Sequence, residues 1–262
     1  MLGNINNESG DLMKVLITGA SSGIGKSMAY IFASKGYDLV LVARSEEKLK
    51  NIKKEIDSVK VDICVSDLSL SENCINIHNK YKDIDILVNN AGFGLVGVFE
   101  KTDLNKELKM IDTNIRALHI LIKLYLRDMI DRDSGKILNV ASISGFLPGP
   151  LMDTYYATKN YVVRLSEGIR EELRIKKSNV SISVLCPGPV NTNFDKVAEV
   201  DFSLDALSSD YVADYAIKGL ERNKFYIVPG FSIKMLKIFS KIIPTNMLAR
   251  MVYLSQKRKK DV

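Results

Sequence analysis

At 262 residues, with 46% apolar and 26% charged side chains, the chain is long enough for one large α/β core and has an ordinary globular composition. Cys64, Cys74 and Cys186 form no C-x-x-C pair and are odd in number, and His78 and His119 stand alone, which excludes a disulfide framework, a zinc cluster and a histidine-based triad as expectations. The net charge of +6 is unevenly placed: from Phe231 onward eight basic residues face only Asp261, giving that segment +7 and leaving the first 230 residues near −1, so no genome-binding surface is implied. Met1 to Asp11 is polar and lacks the apolar core of a signal peptide, so a reducing cytoplasm is the expected location, with no metal.

In chain order, Val15–Thr18 reads as a first strand and Gly25–Lys35 as a helix stopped at Gly36. Asp38–Ala43 is almost entirely apolar, as expected of a parallel strand covered on both faces. A charged helix over Glu46–Ile56 leads to a strand over Val59–Val65. Ser69-Leu70-Ser71-Glu72 has the form of a capping box that would open the next helix. Asp85–Val88 is a fourth strand running into Asn89-Asn90-Ala91-Gly92, and Leu104–Met129 holds two helical stretches, one short and one long. Strands at Lys136–Val140, Val180–Leu185 and Phe225–Val228 alternate with helices at Asp153–Lys176 and near Tyr211–Arg222. This alternation predicts a doubly wound, parallel α/β sheet of the Rossmann type, with a polar leader (1–13), one catalytic body (14–230) and a basic C-terminal extension (231–262).

Between the first strand and helix lies Thr18-Gly19-Ala20-Ser21-Ser22-Gly23-Ile24-Gly25. A strand, a glycine-rich turn and a helix lay a pyrophosphate against unpaired amides at the positive end of the helix dipole. Gly19 would permit the sharp turn, Gly23 the approach of backbone to phosphate, and Gly25 the packing of helix on sheet. The spacing is G-x3-G-x-G rather than G-x-G-x-x-G, and such a turn taken alone would also serve a purely structural end.

The second strand ends Val42-Ala43-Arg44-Ser45 without the carboxylate that usually bonds a ribose 2′-hydroxyl. Arg44 would pair with a 2′-phosphate, with Ser45 adding a hydrogen bond, or else it is a solvated residue at the start of the next helix. NADP is favoured over NAD. Asp67 would accept from the adenine amino group, or is an ordinary strand-end aspartate.

Tyr155 and Lys159 lie four apart on one face of a predicted helix, where a lysine ammonium would favour the phenolate of a potential acid–base catalyst. Tyr156 competes in the same run, but its i+4 partner is the uncharged Asn160. Ser142 follows the fifth strand, at the end where open α/β sheets bind ligands, and Ser144 could shape the same pocket. Asn114, inside a helical run, is either a satisfied polar group or a kink that holds water.

Taken in order, TGASSGIG at 18–25, Asp67, NNAG at 89–92, Asn114, Ser142, YYATK at 155–159 and PGPVNT at 187–192 resemble the short-chain dehydrogenase/reductase superfamily from about Lys14 to Gly230. Within it the chain looks most like the NADPH-preferring, DltE-like bacterial group. The resemblance implies that Tyr155 exchanges a proton with a carbonyl or alcohol oxygen and that Lys159 lowers the tyrosine pKa and bonds the nicotinamide ribose. It further implies that Ser142 orients the oxygen and that Asn114 holds a water leading from Lys159. The turn residues Gly19, Ser21, Ser22, Gly23, Ile24 and Gly25 would hold the NADP(H), with Arg44, Asp67, Asn90, Val190 and Thr192; Asn89 would be partly structural. Tyr156, where the family carries a small residue, would narrow the pocket. A homo-oligomer, dimer or tetramer, is expected.

Selectivity should then rest on Phe93-Gly94-Leu95, Phe146 to Pro150 and the loop after Thr192 with Phe194, an apolar set suited to a small, uncharged, apolar carbonyl or alcohol. Phe194–Asp210 would be a mobile lid or a plain surface loop. From Phe231 to Tyr253 apolar and basic residues alternate, with no apolar stretch of the length needed to span a bilayer. That segment would rest on an anionic membrane, gate an apolar pocket, or simply pack on the body or a second subunit. The rival readings of the whole are a non-enzymatic NADP-binding regulator and a membrane-surface interaction protein acting through the tail.

Overall fold

The computed structural model describes residues 13–192 and 206–257. Its centre is a seven-stranded sheet in the order β3-β2-β1-β4-β5-β6-β9, parallel throughout. The strands are β1 (Lys14–Thr18), β2 (Asp38–Ala43), β3 (Val61–Val65), β4 (Ile86–Asn89), β5 (Lys136–Val140), β6 (Ser181–Leu185) and β9 (Tyr226–Ile227). A separate two-stranded parallel pair joins β7 (Val190–Asn191) to β8 (Leu207–Ser208).

The unbroken apolar runs of the inner strands have a direct cause. Successive strand residues point to opposite faces, so a sheet covered on both sides needs both sets apolar. Val15 and Ile17 of β1, with Leu39 and Leu41 of β2, enter one core layer, beneath α1 (Gly23–Ser34) and α2 (Glu46–Glu55). Leu16, Val40 and Val42 enter the other, beneath α3 (Ser71–Lys80), α5 (Leu118–Asp131) and α6 (Asp153–Ile175). The first layer is completed by α7 (Ser209–Glu221), which presents Val212, Ala213, Ala216, Ile217 and Leu220. The expected doubly wound architecture is therefore the one found, with strand ends differing by a residue or two.

One local expectation needs correction. The capping box does not form: Leu70 occupies the N-cap of α3 and no side chain caps it. The Ser69 amide and hydroxyl instead donate to Asp67 Oδ1, at 3.0 and 2.8 Å, so the strand-end aspartate takes the serine before the helix can. The short and long helices expected over 104–129 are both present and run end to end. α4 (Leu104–Ile111) joins α5 through a π-helical turn at Asp112–Ala117, with Asn114 at its centre.

A polar ladder crosses the second core layer and fixes α6. Asn89 Nδ2 donates to Asn139 Oδ1 at 2.9 Å, Asn139 Nδ2 to Ser166 Oγ at 2.9 Å, and Ser166 Oγ to the Val162 carbonyl at 2.7 Å. Asn89 is thus structural, as expected in part. Lys159 and Ser166 are seven residues apart and share a helix face, so the ladder also sets which side of α6 looks toward the carboxyl ends of the strands.

At the first of those ends the chain is drawn very close to itself. Asn90 donates from its amide to Thr18 Oγ1 (2.9 Å) and from Nδ2 to the carbonyls of Thr18 (2.9 Å) and Gly19 (3.2 Å). A Cβ on Gly25 would lie 2.5 Å from Asn90 Nδ2 and 2.6 Å from the Gly19 carbonyl oxygen. The close neighbours of Gly25 are therefore the turn and Asn90. Gly25→Ala is expected to cost about 1–3 kcal/mol of stability by overpacking, read as a lowered urea midpoint; an unchanged midpoint would contradict this contact.

Candidate active site

All the singled-out motifs that lie in described residues meet at the carboxyl edge of the sheet, around one cavity of about 610 Å³. β1 is the point where the strand order reverses, with β2 on one side and β4 on the other, and ligands of open α/β sheets bind in the crevice this creates. Gly19, Ser21, Ser22, Gly23, Ile24, Arg44, Asp67 and Asn90 line one part of the cavity, Val190 and Thr192 another, and Ser142, Tyr155 and Lys159 stand with them. Gly25 and Asn114 do not reach its wall. They act one layer behind, Gly25 under the turn and Asn114 against Phe93.

The turn has the form of an anion cradle. Gly19 and Gly23 adopt φ of +66° and +53°, open to glycine at little cost, and a Cβ on Gly23 would come 2.9 Å from Thr192 Cγ2. Ser22 is the N-cap of α1 but makes no side-chain cap bond, and the first turn of α1 carries no acidic residue. A dinucleotide pyrophosphate fits such a helix start. Arg44 is exposed on the cavity rim directly beyond β2, while the neighbouring Ser45 hydroxyl caps α2, accepting from the Lys48 amide at 3.5 Å. Burial opposes ionisation of Asp67, but the Ser69 amide and hydroxyl and the Lys109 ammonium, 3.3 Å from Oδ2, outweigh it and hold the carboxylate below its usual range.

Around Tyr155 the backbone is packed to tight tolerance. The Ile143–Phe146 turn presses on α6: a Cβ on Gly145 would lie 2.7 Å from Val163 Cγ2 and 2.8 Å from the Lys159 carbonyl. Asn160 sews the two together, donating to the carbonyls of Ser144 (3.2 Å), Leu147 (3.3 Å) and its own-helix Tyr156 (3.1 Å). This places Ser142, thirteen positions upstream, beside Tyr155. Burial pushes the Tyr155 phenol up to about 12, and the Ser142 and Ser144 hydroxyls pull against that rise. Lys159 lies over the Tyr155 ring at 5.8 Å from its centroid and donates to the Val140 carbonyl at 2.9 Å. Burial lowers its own pKa to about 8. Without cofactor, burial thus opposes the acidification of Tyr155 expected from Lys159, and the Ser142 and Ser144 hydroxyls pull the other way.

Asn114 is a fully engaged side chain. Its Oδ1 accepts from the Phe93 amide (3.1 Å), and its Nδ2 donates to the Phe93 carbonyl (2.9 Å) and to Thr158 Oγ1 (3.1 Å). Of the two readings left open by the sequence, a satisfied polar group or a kink that holds water, the first is present, set in the π-helical turn. Gly92 makes room for it, since a Cβ there would meet Asn114 Oδ1 at 2.9 Å.

The apolar part of the cavity departs from expectation. Phe93 and Leu147 line it, but Leu95 does not, and Phe146 turns away to stack on Tyr226 beneath Lys237. Phe194 lies outside the described residues, as does most of the proposed lid. The wall comes instead from the C-terminal extension, which breaks at Pro244 into α8 (Phe231–Phe239) and α9 (Thr245–Lys257). Ile233 and Leu236 of α8 and Leu248, Met251, Val252 and Gln256 of α9 face the cavity. Gln256 Nε2 donates to the Tyr156 hydroxyl at 2.8 Å in a buried contact. Tyr156 lies flat on Gly149 and forms part of this wall. The Leu248, Val252, Gln256 spacing of four was visible in the sequence, but nothing there said which surface it would meet.

Lys159 carries a stability cost with a definite pH signature. Its folded pKa of about 8 lies below the 10.5 of an exposed lysine, so below about 8 folding must bury a charge, and the penalty lifts as the pH rises toward 10.5. Relative to Lys159→Met, the wild type should therefore gain about 3 kcal/mol between pH 7 and pH 10.5. Urea midpoints of both proteins across that range test it; parallel curves would contradict it.

The chain matches the family model described as short chain dehydrogenase over residues 13–201. It is 33% identical to an uncharacterized oxidoreductase of Staphylococcus saprophyticus over 82% of this chain and 95% of that protein. It is also 32% identical to the very-long-chain 3-oxoacyl-CoA reductase of Rattus norvegicus, over 81% of this chain and 71% of the relative. Among solved structures it resembles a short-chain dehydrogenase from Sphingobium yanoikuyae in complex with NADPH, with TM-score 0.81, 30% identity, and coverage of 88% of this chain and 93% of that one. With the family model matching well over half of its length, the chain belongs to the short-chain dehydrogenase family.

Proposed function

We propose that this oxidoreductase interconverts a ketone or aldehyde and an alcohol on an uncharged, apolar substrate, using NADP(H), with Tyr155 as the general acid and base. The observation that carries the reading is the convergence of Ser142, Tyr155 and Lys159 on one cavity whose other parts are a glycine cradle and an apolar wall. The nicotinamide cofactor, when bound, supplies or accepts the hydride. Everything else falls to side chains of this chain.

Ser142 donates a hydrogen bond to the substrate oxygen and holds it against the Tyr155 hydroxyl, which gives the proton in reduction and takes it back in oxidation. A phenol near 12 is a weaker acid than free tyrosine but still more acidic than an alcohol, so it can protonate a developing alkoxide, and the two serine hydroxyls steady the phenolate left behind. Lys159, with a pKa near 8, can regain its proton near neutral pH and so supply positive charge beside that phenolate. Asn114 is a positioning residue that fixes Phe93 on the cavity wall. Val190 and Thr192 hold the carboxamide end, and Asp67 and Asn90 the adenosine end. The NADPH complex of the Sphingobium relative supports a phosphorylated cofactor, as does Arg44 at the end of β2 in place of a carboxylate. A structure from Burkholderia phymatum, 24% identical, was solved with NAD and shares the fold. Within the family we assign it to the DltE-like bacterial reductases, on the order of motifs from TGASSGIG to PGPVNT. Exposed Leu104 and Leu108, four apart on α4, offer a surface for the expected homo-oligomer.

Tyr155→Phe should lower kcat for a good ketone about 10²- to 10⁴-fold while NADPH binding, followed by nicotinamide fluorescence, is retained. Undiminished turnover would refute the assignment. Arg44→Asp should raise KM for NADPH about 10- to 100-fold and bring NADH level with it or ahead; an unmoved NADPH/NADH ratio would take Arg44 out of the phosphate site.

A further inference from the structure

Sixteen large apolar side chains are exposed among the described residues, and half of them fall between Phe231 and Leu254. Scattered single apolar residues are normal on a protein surface, but a concentration of this kind marks a surface that meets something. On α9 the cavity-facing stripe Leu248, Val252, Gln256 is flanked by a second stripe, Met247, Met251 and Leu254, each half-exposed or more. Ile238, Phe239 and Ile242 add to it around the end of α8. The α8–α9 pair is thus apolar on its inner side, where it closes the cavity, and apolar again where it is exposed.

The segment's own charge is of one sign, with Glu167 of α6 facing Lys237 and Lys241 from the body. Residues 231 to 257 contain Lys234, Lys237, Lys241, Arg250 and Lys257 and no aspartate or glutamate. Lys241, Arg250 and Lys257 are exposed. Two copies meeting through this surface would bring like charges together, which disfavours self-association. Exposed apolar side chains interleaved with lysine and arginine suit an anionic lipid surface, where aliphatic groups enter the acyl boundary and cations meet headgroups. No described helix is long and apolar enough to cross a membrane, so such a contact is a surface one.

We propose that α8 and α9 dock the protein on an anionic bilayer and that its apolar substrate enters the cavity from the lipid side. Met251 joins the two surfaces, since it lines the cavity and is 51% exposed, which puts the rim of the pocket on the docking face. The entry route rests on the carbonyl-reductase reading above; the docking itself does not.

The test uses the full chain without NADPH or ketone, sedimented with vesicles of phosphatidylcholine alone or mixed equally with phosphatidylglycerol. The expected result is binding to the anionic vesicles at least about tenfold stronger than to the neutral ones, weakened by salt. The triple variant Ile242→Ser, Met247→Ser, Leu254→Ser, all at exposed positions off the cavity wall, should lose at least about tenfold of that binding. It should still reduce a water-soluble ketone in the absence of vesicles, which reports its folding. Equal, negligible pelleting with both vesicle types would overturn the proposal, as would a triple variant that pellets like the wild type. So would a surface that forms dimers without binding lipid. For the route, a long-chain ketone held in anionic vesicles should show a severalfold lower KM with the wild type than with the triple variant; equal KM values would overturn it. Vesicle binding without turnover of any ketone would instead strike the carbonyl-reductase reading and leave the docking intact.

Discussion

The bond from the Lys159 ammonium to the Val140 carbonyl, 2.9 Å long and buried, ties the start of α6 to the end of β5, and the site is built around it. A lone ammonium taken out of water is unfavourable, and one carbonyl only partly offsets the loss. The surrounding packing holds the ammonium there regardless. Gly92 lets the Asn90–Phe93 segment pass close enough for Asn114 to grip Phe93, Gly145 lets the serine turn sit on α6, and the Asn89–Asn139–Ser166 ladder prevents α6 from rotating away. Stability is given up at one side chain and recovered in its neighbours, a pattern common where function requires a perturbed group.

The same packing explains why Tyr155 rather than Tyr156 faces the serine turn. Both rings are sequestered, and they meet edge-on with centroids 6.1 Å apart. Tyr155 looks toward the serine hydroxyls, whereas Tyr156 lies flat on Gly149 with its hydroxyl taken by Gln256. A hydroxyl already engaged with a buried amide is a poor proton carrier and a good piece of wall. Two adjacent tyrosines thus have different duties because one neighbour is a serine turn and the other a distant helix.

Much of this could be read from the chain because the relevant physics is local. Apolar runs such as Asp38–Ala43 announce a sheet covered on both faces, and Gly19 and Gly23 announce backbone geometry only glycine adopts freely. The i+4 spacing of Tyr155 and Lys159 placed them on one face before any fold was known. What was hidden depended on contacts between remote segments. Ser69 looked like a helix cap until Asp67 claimed it. Asn160 looked inert beside Tyr156, yet it secures the serine turn. Phe146 and Pro148 to Pro150 looked like pocket, whereas the actual wall arrives from α8 and α9, whose amphipathic pattern fits a membrane, a partner or a core equally well until their place against the cavity is seen.

Because Tyr156 and Gln256 are a hundred positions apart, the two halves of the cavity are completed at different times. As the chain leaves the ribosome, the glycine turn, the serines and Lys159 can all assemble while the final helix is still unmade. Every residue at the glycine-turn end of the cavity therefore precedes in the chain those of α8 and α9 that close the other end. Variation confined to those last two helices would reshape one end of the chamber and leave the glycine turn, the serines and Lys159 as they are.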